Sequence, residues 1–185
     1  MVKTIMAQAG SLSSGRDDFN IREDSGAGLV RMQVFHRKAG AIEALCERLS
    51  IRLPDACEIG VGPGMTLLWS APGEWFAMIA EGDECAWMTS MREKLDGLGV
   101  VLSPLVESHM VLALDGSRVM EVLARGCTID FGAEAFAAGR CLTTRFAGIT
   151  VLIARLSPAA PVIFIVERSL ARYLLAWFES ASVEV

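Results

Sequence analysis

A rhythm that runs through this chain twice constrains its fold more than any single motif. An alternating segment is followed by helical spacing, then a hairpin, then a second helical stretch. This happens once over residues 29–103 and again over 106–180. In the first pass Val30, Met32 and Val34 alternate with Arg31 and Gln33, the period of a half-buried strand. Ile42, Leu45, Cys46 and Leu49 then fall on one helical stripe, which Leu53-Pro54 closes. The Gly/Pro run G-V-G-P-G at 60–64 reads as a loop leading into M-T-L-L-W-S. A Pro72-Gly73 turn joins that segment to E-W-F-A-M-I-A, which makes a hairpin. Met88, Met91, Leu95 and Leu98 mark the second helix, Gly97 and Gly99 end it, and V-V-L returns as a strand.

In the second pass S-H-M-V-L-A-L-D-G reads as a strand. Ser117 is expected to cap a helix through Val119, Val122 and Leu123. Gly126 is expected to stop that helix from the left-handed position just past its end. Residues 141–156 predict a hairpin turning at Ala147-Gly148, and P-V-I-F-I-V predicts another strand. Ser169 is the expected cap of a last helix that puts Leu170, Tyr173, Leu174 and Trp177 on one face. The class that follows is α+β: two intertwined β-α-β-β-α (ferredoxin-like) units with mainly antiparallel sheets. Residues 29–185 read as one domain built of the two pseudo-repeats. Residues 1–28, polar, Gly/Ser-rich and aperiodic, read as a flexible N-terminal arm. The other reading of that segment is an arm that orders against a partner.

Composition narrows the function. The chain is 52% hydrophobic and 21% charged, with a mean hydropathy of +0.42. Ordinary domains run nearer ~45–50% and ~25%. Such an excess fills either a large core or an apolar surface that meets a partner. The net charge is −5, and the lysines and arginines are scattered, so no nucleic-acid footprint is present. The five cysteines form no C-x-x-C pair and only two histidines exist, which argues against a structural zinc site or a disulfide framework. Reduced cysteines in a cytoplasmic protein are expected. After Lys3, T-I-M-A-Q-A-G is too short and mixed for a signal peptide. Arg155, Pro158 and Pro161 interrupt the greasiest stretch, 149–166, so it does not read as a membrane span.

Catalytic motifs are missing. No G-x-G-x-x-G, Walker or G-x-S-x-G pattern occurs in a fitting context, so no flavin or nicotinamide site is expected on this chain. His109 could serve a nucleophilic pair only if Cys127 or Cys141 approached it in space; a hydrogen-bonded structural histidine is the simpler reading. His36 sits at a strand end beside Arg37 and Lys38, where a solvated ring is expected. In R-G-C-T-I-D at 125–130, Gly126 permits a left-handed backbone, Cys127 is small and apolar, and Asp130 can cap a following turn. Trp69, Trp75 and Trp177 lie on apolar faces and read as core, with an interface anchor as the alternative.

Four stretches together resemble the sarcosine oxidase gamma-subunit family. L-L-W-S-A-P-G-E-W at 67–75 is similar to that family's L-x-W-x-x-P-x-E-W hairpin. E-S-H at 107–109 with V-L-A-L-D-G-S-R at 111–118 is similar to its S-H strand and Gly-x-Arg helix start. R-G-C-T-I-D, then Ala135-Phe136, Gly139, Cys141 and Thr143, resembles its K/R-G-C-P-x-D…A-F-x-x-G-x-C-x-x-T signature, with Thr128 in place of the Pro. The closing R-S-L-A-R-Y-L-L-A-W-F at 168–178 resembles its last helix.

The resemblance implies a fold like the folate-binding domain of aminomethyltransferases. It also implies a four-subunit oxidase that demethylates sarcosine to glycine and hydrogen peroxide. FAD, FMN, NAD and tetrahydrofolate would sit on the other subunits. This chain would be a non-catalytic partner stabilising the alpha subunit, with beta and delta in the same complex. No catalytic, cofactor-binding or metal residue is carried over. Trp69, Trp75, His109, Arg118, Gly126, Cys127 and Asp130 remain as family-motif or interface candidates. Two alternatives stay open. One is a stand-alone folate-binding or aminomethyltransferase-like protein, although the Tyr and Gln of the K-G-C-Y-x-G-Q motif are absent here. The other is a small hydrolase using Cys127 and His109.

Overall fold

The computed structural model describes residues 18–24, 26–35, 41–79, 84–132 and 136–183. Their alternating segments pair into two five-stranded antiparallel sheets, one in each of two units. One unit lies within Ser25–Glu107. The other joins the described residues up to Asp24 with Ser108–Val185. The class is α+β, as the two-pass rhythm predicts.

Within Ser25–Glu107 the order is β2 (Gly28–Val34), α1 (Ala41–Leu49), β3 (Ile59–Gly62), β4 (Met65–Ala71), β5 (Glu74–Ile79), α2 (Glu84–Lys94) and β6 (Val100–Pro104). The sheet runs β3-β4-β5-β2-β6. Val30, Met32, Leu45, Leu67, Trp75, Ala77 and Met88 form its core, matching the predicted alternation and stripe. β3 departs from the expected loop at 60–64. The turn is Pro63-Gly64 alone, with Gly64 at φ 71°, and β3 pairs with β4 from Ile59↔Leu68 to Gly62↔Met65. Glycines hid this strand because they lack β propensity. Here they serve close approach: a Cβ on Gly62 would sit 3.0 Å from Ile51 Cδ1, and one on Gly60 3.1 Å from Pro54 Cδ.

The other unit contains β1 (Asn20–Glu23), β7 (His109–Asp115), α3 (Val119–Gly126), β8 (Arg140–Phe146), β9 (Ile149–Arg155), β10 (Val162–Glu167) and α4 (Arg168–Val183). Its sheet runs β1-β7-β10-β9-β8. Position by position this is the order of the first sheet, with β1 standing where β6 stands. Each unit is therefore β-α-β-β-β-α plus one antiparallel edge strand. β3 is the strand beyond the expected β-α-β-β-α in the first unit; in the second it is one of the strands in the hairpin and following segment read at 141–167. Its core is aromatic. Phe146 lies edge-on to Phe164 at 5.1 Å, and Phe178 packs on both, at 5.4 Å from each.

Three local expectations are corrected. Asn20–Glu23 is a strand inside the segment read as a flexible arm, because Phe19 and Ile21 are buried against the core; residues 1–17 lie outside the described residues. Ser117 does not cap α3: Arg118 occupies that place, with no side-chain cap bond. Nor does Ser169 cap α4, which starts at Arg168, directly after β10. The buried face of α4 is Ala171, Leu174, Phe178 and Ala181, while Tyr173 is exposed. Among the described residues no helix is long and apolar enough to cross a membrane, and no cluster of three or more metal-ligating side chains occurs.

Candidate functional site

The R-G-C motif closes a junction of three elements. Arg125, in the last turn of α3, donates from Nη1 to the Ala181 carbonyl of α4, at 3.3 Å. Its Nη2 lies 4.0 Å from Glu121 Oε1. Gly126 is the last residue of α3 and is followed by Cys127 in extended backbone, not by a left-handed stop. It is needed for space: a Cβ there would fall 2.1, 2.3 and 2.6 Å from three ring atoms of Phe146. The Gly126 carbonyl accepts from Ala147 N at 2.7 Å, and the Ala147 carbonyl accepts from the Tyr173 hydroxyl at 2.7 Å. Ala147 and Gly148, at φ 48° and 83°, form the two-residue turn predicted between β8 and β9. Cys127 is half-buried against the aromatic core. Asp130 Oδ1 accepts from Gly132 N at 2.7 Å, which folds the next turn as expected.

Arg118 and His109 lie elsewhere in the same unit. Gly116 is at φ 122°, and a Cβ on it would meet the Asp18 carbonyl at 2.2 Å. That contact lets Arg118 grip the chain before β1. Its N donates to the Asp18 carbonyl at 2.9 Å, and its Nη1 lies 3.3 Å from Asp18 Oδ2. Its Nε lies 3.3 Å from Glu121 Oε2. His109 opens β7 with Nδ1 2.9 Å from Ser108 Oγ. Its carbonyl accepts from Arg168 Nη2 at 3.1 Å, and Arg168 Nη1 reaches Glu23 Oε1 at 3.5 Å.

The hydrolase reading needs Cys127 or Cys141 beside His109, and within this unit both belong to the β8 side of the sheet. Cys141 is on β8, three strands across the sheet, or about 14 Å at ordinary strand spacing. Cys127 follows the α3 end that is held at the β8–β9 turn. His36 falls outside the described residues.

Trp69 and Trp75 belong to the other unit, while Trp177 lies on α4 against Phe146 at 4.9 Å. Trp69 and Trp75 oppose each other across β4 and β5, beside a register shift between Trp69 and Ala71. Trp75 is buried and donates from Nε1 to the Pro54 carbonyl at 3.0 Å. Trp69 is half-buried on the same core. Glu74, which sequence reading passed over, pins this hairpin. Its carboxylate accepts from Ser70 Oγ at 2.8 Å and from Gln33 Nε2 at 2.7 Å. The signal was present as the Glu of the E-W pair.

The seven candidates thus occupy four places, each with a scaffold role. Two clefts are lined by described residues. One, of about 510 Å³, lies between Arg92–Gly99 and the start of β6. The other, of about 290 Å³, lies between Gly116, Val119, Arg155 and the 158–162 turn. None of the seven lines either cleft.

Known proteins agree on where this pattern recurs. Residues 37–184 match the family described as sarcosine oxidase, gamma subunit. The sarcosine oxidase subunit gamma of Corynebacterium sp. (strain P-1) is 33% identical over 119 residues; these are 63% of this chain but only 58% of that relative's length. The subunit gamma of Arthrobacter sp. is 28% identical over 186 residues, covering 97% of this chain and 90% of the relative. Among solved structures, the heterotetrameric sarcosine oxidase from Corynebacterium sp. U-96 in complex with pyrrole 2-carboxylate contains a similar chain. The TM-score is 0.80 at 23% identity, covering 98% of this chain and 92% of that one. Glycine cleavage system aminomethyltransferase T from Bartonella henselae gives 0.65 at 14% identity, covering 88% of this chain and 46% of that one. These two likenesses speak for the fold, which is the aminomethyltransferase-like one expected. The family match takes in 148 residues, counted from 37 to 184, and carries the R-G-C, G-S-R and E-W motifs whose packing is described above: this chain belongs to the sarcosine oxidase gamma subunit family.

Proposed function

We propose that this chain is the gamma subunit of a cytoplasmic heterotetrameric sarcosine oxidase, where it docks on and stabilises the alpha subunit beside beta and delta. In this reading sarcosine is demethylated on the other subunits. They hold FAD, FMN, NAD and tetrahydrofolate, and this chain contributes no reacting group. The family match over 37–184 carries the proposal. The scaffold roles of Arg118, Gly126, Glu74 and Trp75 support it, since each secures a strand, turn or helix end.

Co-expression with a tagged alpha chain tests the reading. A tight, stoichiometric complex is expected, together with a higher melting temperature for alpha than when it is made alone. An alpha chain that does not retain this protein overturns the assignment. The aminomethyltransferase likeness of the fold favours one rival, an independent folate binder. Calorimetry of the isolated chain with tetrahydrofolate separates the two. The subunit reading expects affinity no tighter than about 1 mM, near −4 kcal/mol; micromolar binding would favour the rival.

A further inference from the structure

β1 closes one edge of its sheet, yet the whole of Ser25–Glu107 separates it from β7 in sequence. It is four residues long and pairs on one side only, from Asn20↔Asp115 to Glu23↔Leu112. Two kinds of contact hold it. Phe19 and Ile21 are 2% and 1% exposed, and Phe19 meets Phe178 at 5.8 Å. Three arginine–carboxylate pairs are spaced along it: Arg118–Asp18 at 3.3 Å, Arg22–Asp115 at 3.7 Å and Arg168–Glu23 at 3.5 Å.

Other features of the seat oppose these contacts. Among the described residues, Asn20 Oδ1 and Arg118 Nη2 are buried without a hydrogen-bond partner. A buried orphan keeps its full desolvation cost, which disappears once water reaches it. Both orphans would be hydrated if β1 lifted. Backbone bonds flank β1 as they flank the topologically equivalent β6. They run from Arg118 N to the Asp18 carbonyl and from Asp24 N to the Val111 carbonyl for β1, and from Phe35 N to the Gly99 carbonyl and from Leu105 N to the Leu29 carbonyl for β6. Release of β1 therefore rests on the orphans and the screenable pairs.

We propose that β1 is a releasable strap. Residues 18–24 lift from β7 as one piece while the rest of the unit stays folded, uncovering the outer edge of β7. The opening is sub-global and driven by the strap's own mixture of apolar anchors, screenable ion pairs and unpaired polar atoms.

Native-state hydrogen exchange read by mass spectrometry on the full-length protein tests this. Amides of 18–24 and the outward-facing amides of β7 should exchange together, about a hundredfold faster than those of β9 and β10. Adding 0.5 M salt should speed them about two- to fivefold, since the pairs are partly exposed. The double variant Asp18→Asn/Glu23→Gln should speed them about tenfold and leave β9 and β10 unchanged. Asn20→Leu, which removes one orphan, should slow them. If residues 18–24 exchange no faster than β9 and β10 in the unsubstituted protein, β1 is an integral strand and the proposal fails. Equal acceleration of every element in Asp18→Asn/Glu23→Gln also overturns it.

Discussion

At the scale of the residue, Gly126 shows how a correct sequence signal can have a different cause. Its place at the end of a helix suggested the left-handed stop that glycine favours. The chain instead continues extended at Cys127, and the missing side chain makes room for the Phe146 ring. No local pattern reveals this, because Phe146 is twenty residues away and meets Gly126 only when the β8–β9 turn folds back. Asp130 was legible for the opposite reason: its bond to Gly132 N spans two residues. Gly126→Ala should destabilise the protein by about 3 kcal/mol, at the upper end for overpacking, because three ring atoms would lie inside contact distance. Phe146→Leu opens that space at its own cost. In urea unfolding the double variant Gly126→Ala/Phe146→Leu should therefore be more stable than the sum of the singles predicts, by about 1 kcal/mol. Strict additivity would mean that the methyl group is housed away from Phe146.

At the scale of the element, periodicity found most strands and misjudged one helix face. β2, β5, β7, β9 and β10 were readable because alternation or a short apolar run is written into them. β3 was not, since two of its four residues are glycines chosen for proximity to Ile51 and Pro54. The last helix has apolar residues nearly all round, so its buried side could not be picked from spacing alone. Phe178, fully buried against four aromatic rings, holds the centre that Tyr173 was expected to share. Tyr173 instead stands half in solvent and reaches the β8–β9 turn with its hydroxyl. Phe178→Ala should cost about 3–5 kcal/mol through lost burial and the cavity left behind. Tyr173→Phe should cost no more than about 1 kcal/mol, the worth of one exposed hydrogen bond. Thermal unfolding of both variants ranks them directly; a larger loss for Tyr173→Phe would contradict the assigned face.

At the scale of the whole chain, the doubled rhythm was the most informative reading. It returned two sheets with the same strand order. It could not foresee that the second sheet borrows its edge from the N-terminal side, because that pairing spans the entire first unit. The apolar excess also has a plainer destination than a partner surface alone. β7 and β10 are buried at nearly every position and β9 over Val151–Ala154, both faces included, so they consume apolar residues that a half-exposed strand would not need. What stays exposed, such as Val61, Val101 and Val183, is scattered over different elements. Docking on a larger subunit therefore rests on family membership more than on greasiness. Chemistry at the seven motif candidates would have to come from residues that also serve the scaffold. Cys127 is the sharpest case, being a cysteine of the family motif at the end of a helix. In the assembled oxidase Cys127→Ser should change kcat by less than about twofold, the range of a substitution worth under about 0.5 kcal/mol. A hundredfold loss with the complex still intact, shown by gel filtration of the same sample, would place a reacting group here and overturn the non-catalytic reading.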